Sequence, residues 1–291
     1  MVTAGMVKEL RERTGLGMLE CKNALTETGG NMELAIDSLR KKSSLKAAKK
    51  AGRTTADGLL GMKVAPDGSR AAMVEINIET DFAARNEKFQ AFVVKMAEAA
   101  FELPETDPLR ELNARYGAER ETLVQEIGEN ITIRRAVVFI AASGGYIASY
   151  LHGDQRKASL VELNKANAVL GRDIAMHVTA INPLVVRGED LAADVIAKER
   201  EIYTAQAAES GKPPDIVAKM VEGRVRKYLA EVSLLDQPFV KEPGKSVGQL
   251  CKEAGADCRR LVRFEVGEGI EKEATDFAAE VAAQVSSSKG S

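Results

Sequence analysis

Tryptophan is absent, aromatic residues make up 4% of the chain, and there are only two histidines and three cysteines. Each scarcity excludes something. Few aromatics leave little to stack on nucleobases, the usual grip on single-stranded nucleic acid. The isolated His152 and His177 and the scattered Cys21, Cys251 and Cys258 offer no metal-ligand spacing. An odd, dispersed cysteine count argues for reduced thiols rather than a disulfide frame, so the sequon Asn130-Ile-Thr132 is expected to be idle. No run of roughly eighteen apolar residues and no leader pattern occurs, so no membrane span and a cytoplasmic location are expected. No Gly-x-Ser-x-Gly elbow appears. Gly244-Lys-Ser246 imitates the end of a phosphate loop, but Phe239 stands where the motif needs its first glycine. No catalytic residues, cofactor, metal site or direct nucleotide binding are therefore expected. His177 reads as a hydrogen-bonded core residue inside a helix, and His152 as free at a hairpin end.

What is present is enough for a real core: 291 residues, 45% apolar and 29% charged, point to two or more domains. The net charge of −2 hides an asymmetry. Residues 1–55 carry eleven Lys/Arg against six Asp/Glu, whereas Glu265, Glu268, Glu271, Glu273, Asp276 and Glu280 make the tail acidic.

Residues 3–42 read as three short helices. Their stripes are Val7 and Leu10, then Met18, Leu19, Ala24 and Leu25, then Leu34, Ile36 and Leu39; Gly29-Gly30 and Asn31 punctuate them. Seven basic residues between Arg40 and Arg53 either bind phosphates or form a solvated helical linker, and without interleaved aromatics direct RNA binding is not expected. A hairpin follows, 59–65 and 70–78, around Pro66-Asp67-Gly68-Ser69. Met73 to Ile78 alternates like a strand buried on one face. A helix then opens at Asn86 with the stripe Phe89, Phe92, Val93, Met96, Ala97 and Ala100. Beyond a Pro/Asp break and polar helices, residues 131–163 read as a three-strand meander, and 166–181 as a helix closed by Asn182-Pro183. Residues 187–232 lose strand character. Leu191, Val195 and Ile202 form one helical stripe, and Ile216, Met220, Val221, Tyr228 and Val232 another, with Ser210-Gly-Lys-Pro-Pro214 at the apex of an inserted hairpin. Ser246-Val-Gly-Gln249 fits a capping box, and 261–266 returns to the second sheet. Residues 267–291 are expected to form a short acidic helix and a Ser/Gly tail. The pentapeptide Thr-Asp-Phe-Ala-Ala occurs at 80–84 and at 275–279, but no strong repeat is evident.

Between the strand ending at Ile78 and the helix opening at Asn86, Asp81 and Phe82 are pushed to a turn. Two readings stand: Asp81 caps a helical turn while Phe82 tucks into the core, or the pair is an exposed wedge aimed at a partner.

Leu10-Arg-Glu-Arg-Thr-Gly-Leu-Gly-Met-Leu-Glu-Cys-Lys-Asn-Ala-Leu25 and Glu75-Ile-Asn-Ile-Glu-Thr-Asp-Phe-Ala-Ala-Arg85 resemble the two motifs of the bacterial translation elongation factor Ts family. Ile127-Gly-Glu-Asn-Ile-Thr-Ile-Arg-Arg135, Ile174-Ala-Met-His177 and Phe264-Glu-Val-Gly-Glu-Gly-Ile-Glu-Lys272 are similar to further stretches of it. Ala83 and Ile78 depart from it, standing where the family often has Val and Cys. The resemblance implies an α+β fold: an N-terminal three-helix, UBA-like module with its basic linker (1–54), core subdomains at 55–143 and at 144–186 with 233–266, an inserted antiparallel coiled-coil hairpin (187–232) and a C-terminal module (267–291). It implies a guanine-nucleotide exchange factor for the GTPase elongation factor Tu, alone or in a homodimeric or 2:2 assembly. Thr80, Asp81, Phe82 and Ala83 would disturb the partner's magnesium site; Lys8, Arg11, Met18, Leu19 and His152 would bind it elsewhere.

Overall fold

A computed structural model describes residues 2–209 and 213–271. Helices α1 (Ala4–Thr14), α2 (Met18–Glu27) and α3 (Met32–Lys50) come first. Thr3 and Asn31 cap α1 and α3, accepting from the Met6 and Leu34 amides. The small core between them holds Val7, Leu10, Cys21, Ala24, Leu25, Ala35 and Leu39. Two stripe assignments are corrected here. Met18, Leu19 and Leu34 are exposed, and Cys21 and Ala35 face inward instead. The face each helix buries is set by its two neighbours, which close on Cys21 and Ala35 and leave Met18, Leu19 and Leu34 on the outer side. Nor do residues 40–53 form a free linker. Most of them continue α3, which lies against α6 (Pro108–Ile127).

The core begins with β1 (Asp57–Val64) and β2 (Arg70–Ile78), then a one-turn helix α4 (Asp81–Ala84), then α5 (Glu87–Phe101), α6 and β3 (Ile131–Ile140). The α5 residues Phe89, Phe92, Val93, Met96, Ala97 and Ala100 are all buried, as their spacing predicts. The second half brings β4 (Tyr146–Leu151), β5 (Lys157–Leu163) and α7 (Ala168–Ile181). Helices α8 (Ala193–Ala208) and α9 (Pro214–Val232) follow, then β6 (Pro238–Phe239), β7 (Glu242–Ser246), α10 (Val247–Glu253) and β8 (Cys258–Glu265).

The strands form two three-stranded antiparallel sheets, β1-β2-β3 and β4-β5-β8, with β6-β7 a small ribbon. This overturns the 131–163 meander: β3 pairs with β2, and the chain crosses to the second sheet through 141–145. The packing explains it, since Ile131, Ile133 and Val138 of β3 belong to the cluster built on α5 and α6. The expectation that β2 is buried on one face is also corrected. Ala72, Val74, Ile76 and Ile78 face α5 and α6, whereas Ala71 and Met73 pack with Ile147, Leu160 and Phe264 of the second sheet. Glu75 and Asn77 are fully buried with them.

α8 and α9 pack on each other through Ile196, Tyr203, Ala207, Val217, Val221, Val225 and Leu229. The expected stripes were displaced: Ile202 and Ile216 are exposed. Of the expected apex, 210–212 lie outside the described residues. At the base, Leu234 N–H donates to Val185 O and Leu235 N–H to Val186 O, 2.9 and 3.1 Å, so the chain leaves and returns at one place. The expected capping box forms reciprocally between Ser246 and Gln249.

The two sheets repeat one device. Val74-Glu-Ile-Asn77 in β2 matches Val161-Glu-Leu-Asn164, which ends one residue past β5, and Arg134-Arg-Ala-Val-Val-Phe139 in β3 matches Arg259-Arg-Leu-Val-Arg-Phe264 in β8. In register, Glu75 faces Arg135 and Glu162 faces Arg260, each beside a break in the ladder. Cross-sheet backbone bonds repeat too, Leu60 N–H to Gln155 O and Ile147 N–H to Gly68 O, both 2.8 Å, and each sheet extends its ladder by one matching rung, Ala141 N–H to Ser69 O and Val266 N–H to Arg156 O, 2.8 and 2.9 Å. The absence of an evident repeat is thus corrected: the two halves face one another about an approximate twofold axis.

Candidate functional site

The chain leaves β2 at Ile78 and is fixed at once. Glu79 accepts from the Asn130 amide at 2.6 Å. Thr80 N–H and Oγ1–H donate to the two oxygens of Glu129 at 2.9 and 2.8 Å, while Thr80 Oγ1 accepts from the Ala83 amide at 3.2 Å. The cap of the turn is therefore Thr80, not Asp81. Ala84 is buried, and Ala83 packs against the same core. With these small side chains taking the inward positions, Phe82 is left 77% exposed. Burying such a ring stabilises a fold by about 1.5–3 kcal/mol, a gain this corner forgoes. The core reading of Phe82 fails: the ring stands out in solvent. Arg85 steadies both groups: it bonds Asp81 at 2.8 Å, and its guanidinium lies 5.7 Å from the Phe82 ring centre. Asn86 then caps α5, accepting from the Lys88 amide at 2.9 Å.

Asp81 and Arg85 form one wall of a groove of about 640 Å³ whose other wall is the turn Gly153–Arg156. That turn is held by the Gln155 carbonyl, by Arg156–Asp57 at 2.8 Å, and by His152 Nδ1 at 3.0 Å from Asp154. Burial pushes the Asp154 carboxyl up, but the bonds from the Arg156 amide and His152 outweigh it and hold the group below the usual range. The fold thus brings Asp81 next to the His152 hairpin end.

It does not bring Lys8, Arg11, Met18 and Leu19 into that groove. These are exposed on α1 and α2, where Lys8 lies 3.8 Å from Glu12. Lys88 links the two regions, bonding Glu126 at 2.5 Å and the Gly15 carbonyl at 3.4 Å. Gly15 has φ of 71°, and a Cβ there would meet Glu126, so the loop before Met18 needs glycine.

The basic run is largely occupied. Lys42 pairs with Glu27 and Lys46 with Glu20, both at 2.6 Å; Lys50 donates to the Gly128 carbonyl, and Arg53 lies 3.4 Å from Glu79. These bonds fasten α3 to its surroundings rather than offer cations to phosphate. His177 is buried, its Nε2 2.8 Å from Gln237 Oε1 while Nδ1 accepts from the Val240 amide at 3.2 Å. Burial lowers its pKa, against the Gln237 bond. Cys251 and Cys258 are buried too, which raises their thiols to about 11 and about 12 and makes them poor nucleophiles. Lys245 of Gly244-Lys-Ser246 lies in a strand and bonds Glu253 at 3.0 Å. Among the described residues no three metal-ligating side chains cluster, and no helix is long and apolar enough to cross a membrane. Of the acidic helix and tail expected at 267–291, residues 267–271 form a turn and irregular chain rather than a helix, and the rest lie outside the described residues.

Residue-by-residue reading missed Arg85 as the partner of Asp81 and Phe82. It also missed that Asn167, Val169 and Arg172 stand to Glu162 as Thr80, Phe82 and Arg85 stand to Glu75, with Val169 76% exposed. The shared Val-Glu-Ile/Leu-Asn was the available signal.

The family model described as Elongation factor TS matches residues 79–268. Curated proteins named elongation factor Ts are similar over nearly their whole length. That of Hahella chejuensis is 56% identical over 284 residues, covering 98% of each chain. That of Saccharophagus degradans is 55% identical over 288 residues, 99% of each. That of Alcanivorax borkumensis is 54% identical over 286 residues, 96% of this chain and 99% of the relative.

Proposed function

The chain belongs to the elongation factor Ts family of translation elongation factors, and from that premise we propose that it is a guanine-nucleotide exchange factor for elongation factor Tu. It would bind the GDP form in the cytoplasm and promote GDP release and GTP rebinding. The supporting observation is the corner itself: an exposed phenyl ring and a carboxylate, on a turn tied to its own fold at Glu79, Thr80, Ala83 and Ala84.

The physics follows from how a GTPase holds GDP. The phosphates rest on backbone amides and a magnesium ion, which demands near-ideal octahedral oxygen geometry. A small displacement of that ion's ligands costs much affinity. Phe82 supplies rigid apolar area that prises packed elements of the partner apart. Asp81, exchanging Arg85 for cationic or metal-linked groups of the partner, opposes closure of the pocket. Thr80 and Ala83 fix both at the correct height. Because the corner is already ordered, little entropy is lost in presenting it. No covalent step is involved: factor and nucleotide weaken one another in a ternary complex. Each 1.4 kcal/mol of coupling loosens the nucleotide about tenfold, and GDP loosens the factor equally.

Lys8, Arg11, Met18 and Leu19 on the three-helix, UBA-like module (1–54) form a second contact. His152 forms a third, across the groove from Asp81. The 187–232 coiled-coil hairpin, standing off the core subdomains 55–143 and 144–186 with 233–266, serves assembly. The test is a stopped-flow trace of fluorescent GDP leaving the partner. Release is expected to speed up with added chain, which alone should bind no nucleotide; an unchanged trace would refute the reading.

A further inference from the structure

Glu75 and Glu162 are 0% and 2% exposed, and the exchange reading uses neither. Glu75 Oε1 accepts from Arg134 Nη1 and from the Gly267 amide, both at 2.9 Å, and its Oε2 from Arg135 Nε. Glu162 Oε2 accepts from Arg260 Nε at 2.6 Å and its Oε1 from the Ala142 amide at 2.8 Å, with Arg259 3.5 Å away. Each network reaches across to the other sheet. Arg135 of the first sheet lies 4.3 Å from the ring centre of Phe264 in the second, and donates to the Glu265 carbonyl at 2.8 Å. Arg260 of the second lies 4.0 Å from the Phe139 ring centre in the first, and donates to the Ile140 carbonyl at 2.7 Å. The glutamate–Arg Nε bond, the backbone amide on the glutamate, the stacked ring and the bond to the carbonyl after that ring recur in both arms.

Such a pair of buried ionic arms contributes little net stability, because desolvation offsets attraction; what it supplies is geometry. The apolar contacts between the sheets, Met73, Leu60, Ile147 and Leu160 among them, are non-directional and tolerate sliding. A guanidinium fork and a stacked ring do not. We propose that Glu75, Arg135, Glu162 and Arg260 are positioning residues for nucleotide exchange: the two exchanged arms fix the angle between the halves, and with it the Asp81–Phe82 corner relative to the His152 turn. The role in exchange rests on the reading above; the fixing of the angle does not.

The experiment separates the two. Nitroxide labels on the full chain at Glu98→Cys and Lys165→Cys, exposed sites on opposite halves, report the distance distribution between them by electron paramagnetic resonance. The same chains are assayed for fluorescent-GDP release from the partner. Glu75→Gln/Glu162→Gln keeps shape but not charge; Arg135→Lys/Arg260→Lys keeps charge but neither fork nor stack, and serves should the first pair not fold. A single narrow distribution is expected for the parent and a broadened one for either pair, with the half-saturating factor concentration for GDP release raised about 10–100-fold, the range of an angstrom-scale misplacement. Phe82→Ala should slow release without broadening. A distribution as narrow as the parent's in both pairs would overturn the proposal, as would broadening with unaltered release. If the parent itself failed to release GDP, the exchange role would fall, and the distance distribution would still decide whether the arms fix the angle.

Discussion

The corner after β2 and the corner after β5 are built alike and equipped differently. Each follows a middle strand carrying a buried glutamate, each starts with a capping side chain, Thr80 or Asn167, and each holds an apolar residue out to solvent. The first presents Asp81 and Phe82, the second Ala168 and Val169. The first ends after one turn at Arg85 and restarts at Asn86; the second runs on as the continuous α7. The scaffold thus creates an exposed position twice, and only one copy carries an acid and a ring on a short, separately pinned turn. Exposure alone therefore does not distinguish the two corners; the acid and the ring on a pinned turn do.

The largest expected effect breaks this contrast at the ring. Phe82→Ala should weaken binding to nucleotide-free elongation factor Tu by about 2–4 kcal/mol, the usual cost of truncating an aromatic anchor, while Val169→Ala changes it by under about 0.5 kcal/mol; titration calorimetry compares the two. Next comes the acid. Asp81→Ala should weaken the same complex by about 1–2 kcal/mol, with a shallower salt dependence, because it removes a charged hydrogen-bonding group; Ala168→Asp should leave both unchanged. A smaller effect concerns the caps: Thr80→Ala should lower unfolding free energy by about 1 kcal/mol in urea, and Asn167→Ala by a similar amount.

The smallest effect sharpens the contrast from inside the second half. Burial lowers the His177 pKa, so the unfolded chain binds its proton at a higher pH than the folded one. The stability it contributes is complete above the unfolded value of about 6.5 and declines as the pH falls through it. Protonation would also abolish acceptance of the Val240 amide by Nδ1. Urea midpoints at pH 7.5 and 5.5 should differ, and the His177→Gln chain should show less of that difference.

Much of this was legible in the sequence because it is local. The α5 stripe, the Ser246–Gln249 box, the buried His177 and the β2 limits each depend on a few neighbouring residues. What was not legible depends on distant ones. Alternation along β2 marks two faces but cannot reveal that Arg134, Arg135 and Gly267 come to cover Glu75. Turn signals at 143–145 cannot say which sheet the next strand joins. In α8 and α9 the choice among several apolar stripes is made by the opposing helix, so Ile196 and Tyr203 won over Ile202. At the corner, both fates of Phe82 fitted the chemistry. Ala83 and Ala84 filling the inward positions decided between them.

The most direct measurement is the maximal rate of fluorescent-GDP release from elongation factor Tu at saturating factor, where affinity no longer matters. Phe82→Ala should lower that plateau well below the parent's while Val169→Ala reproduces it. Equal plateaus for the parent and Phe82→Ala would show that the ring only helps the two proteins meet, and would contradict the wedge.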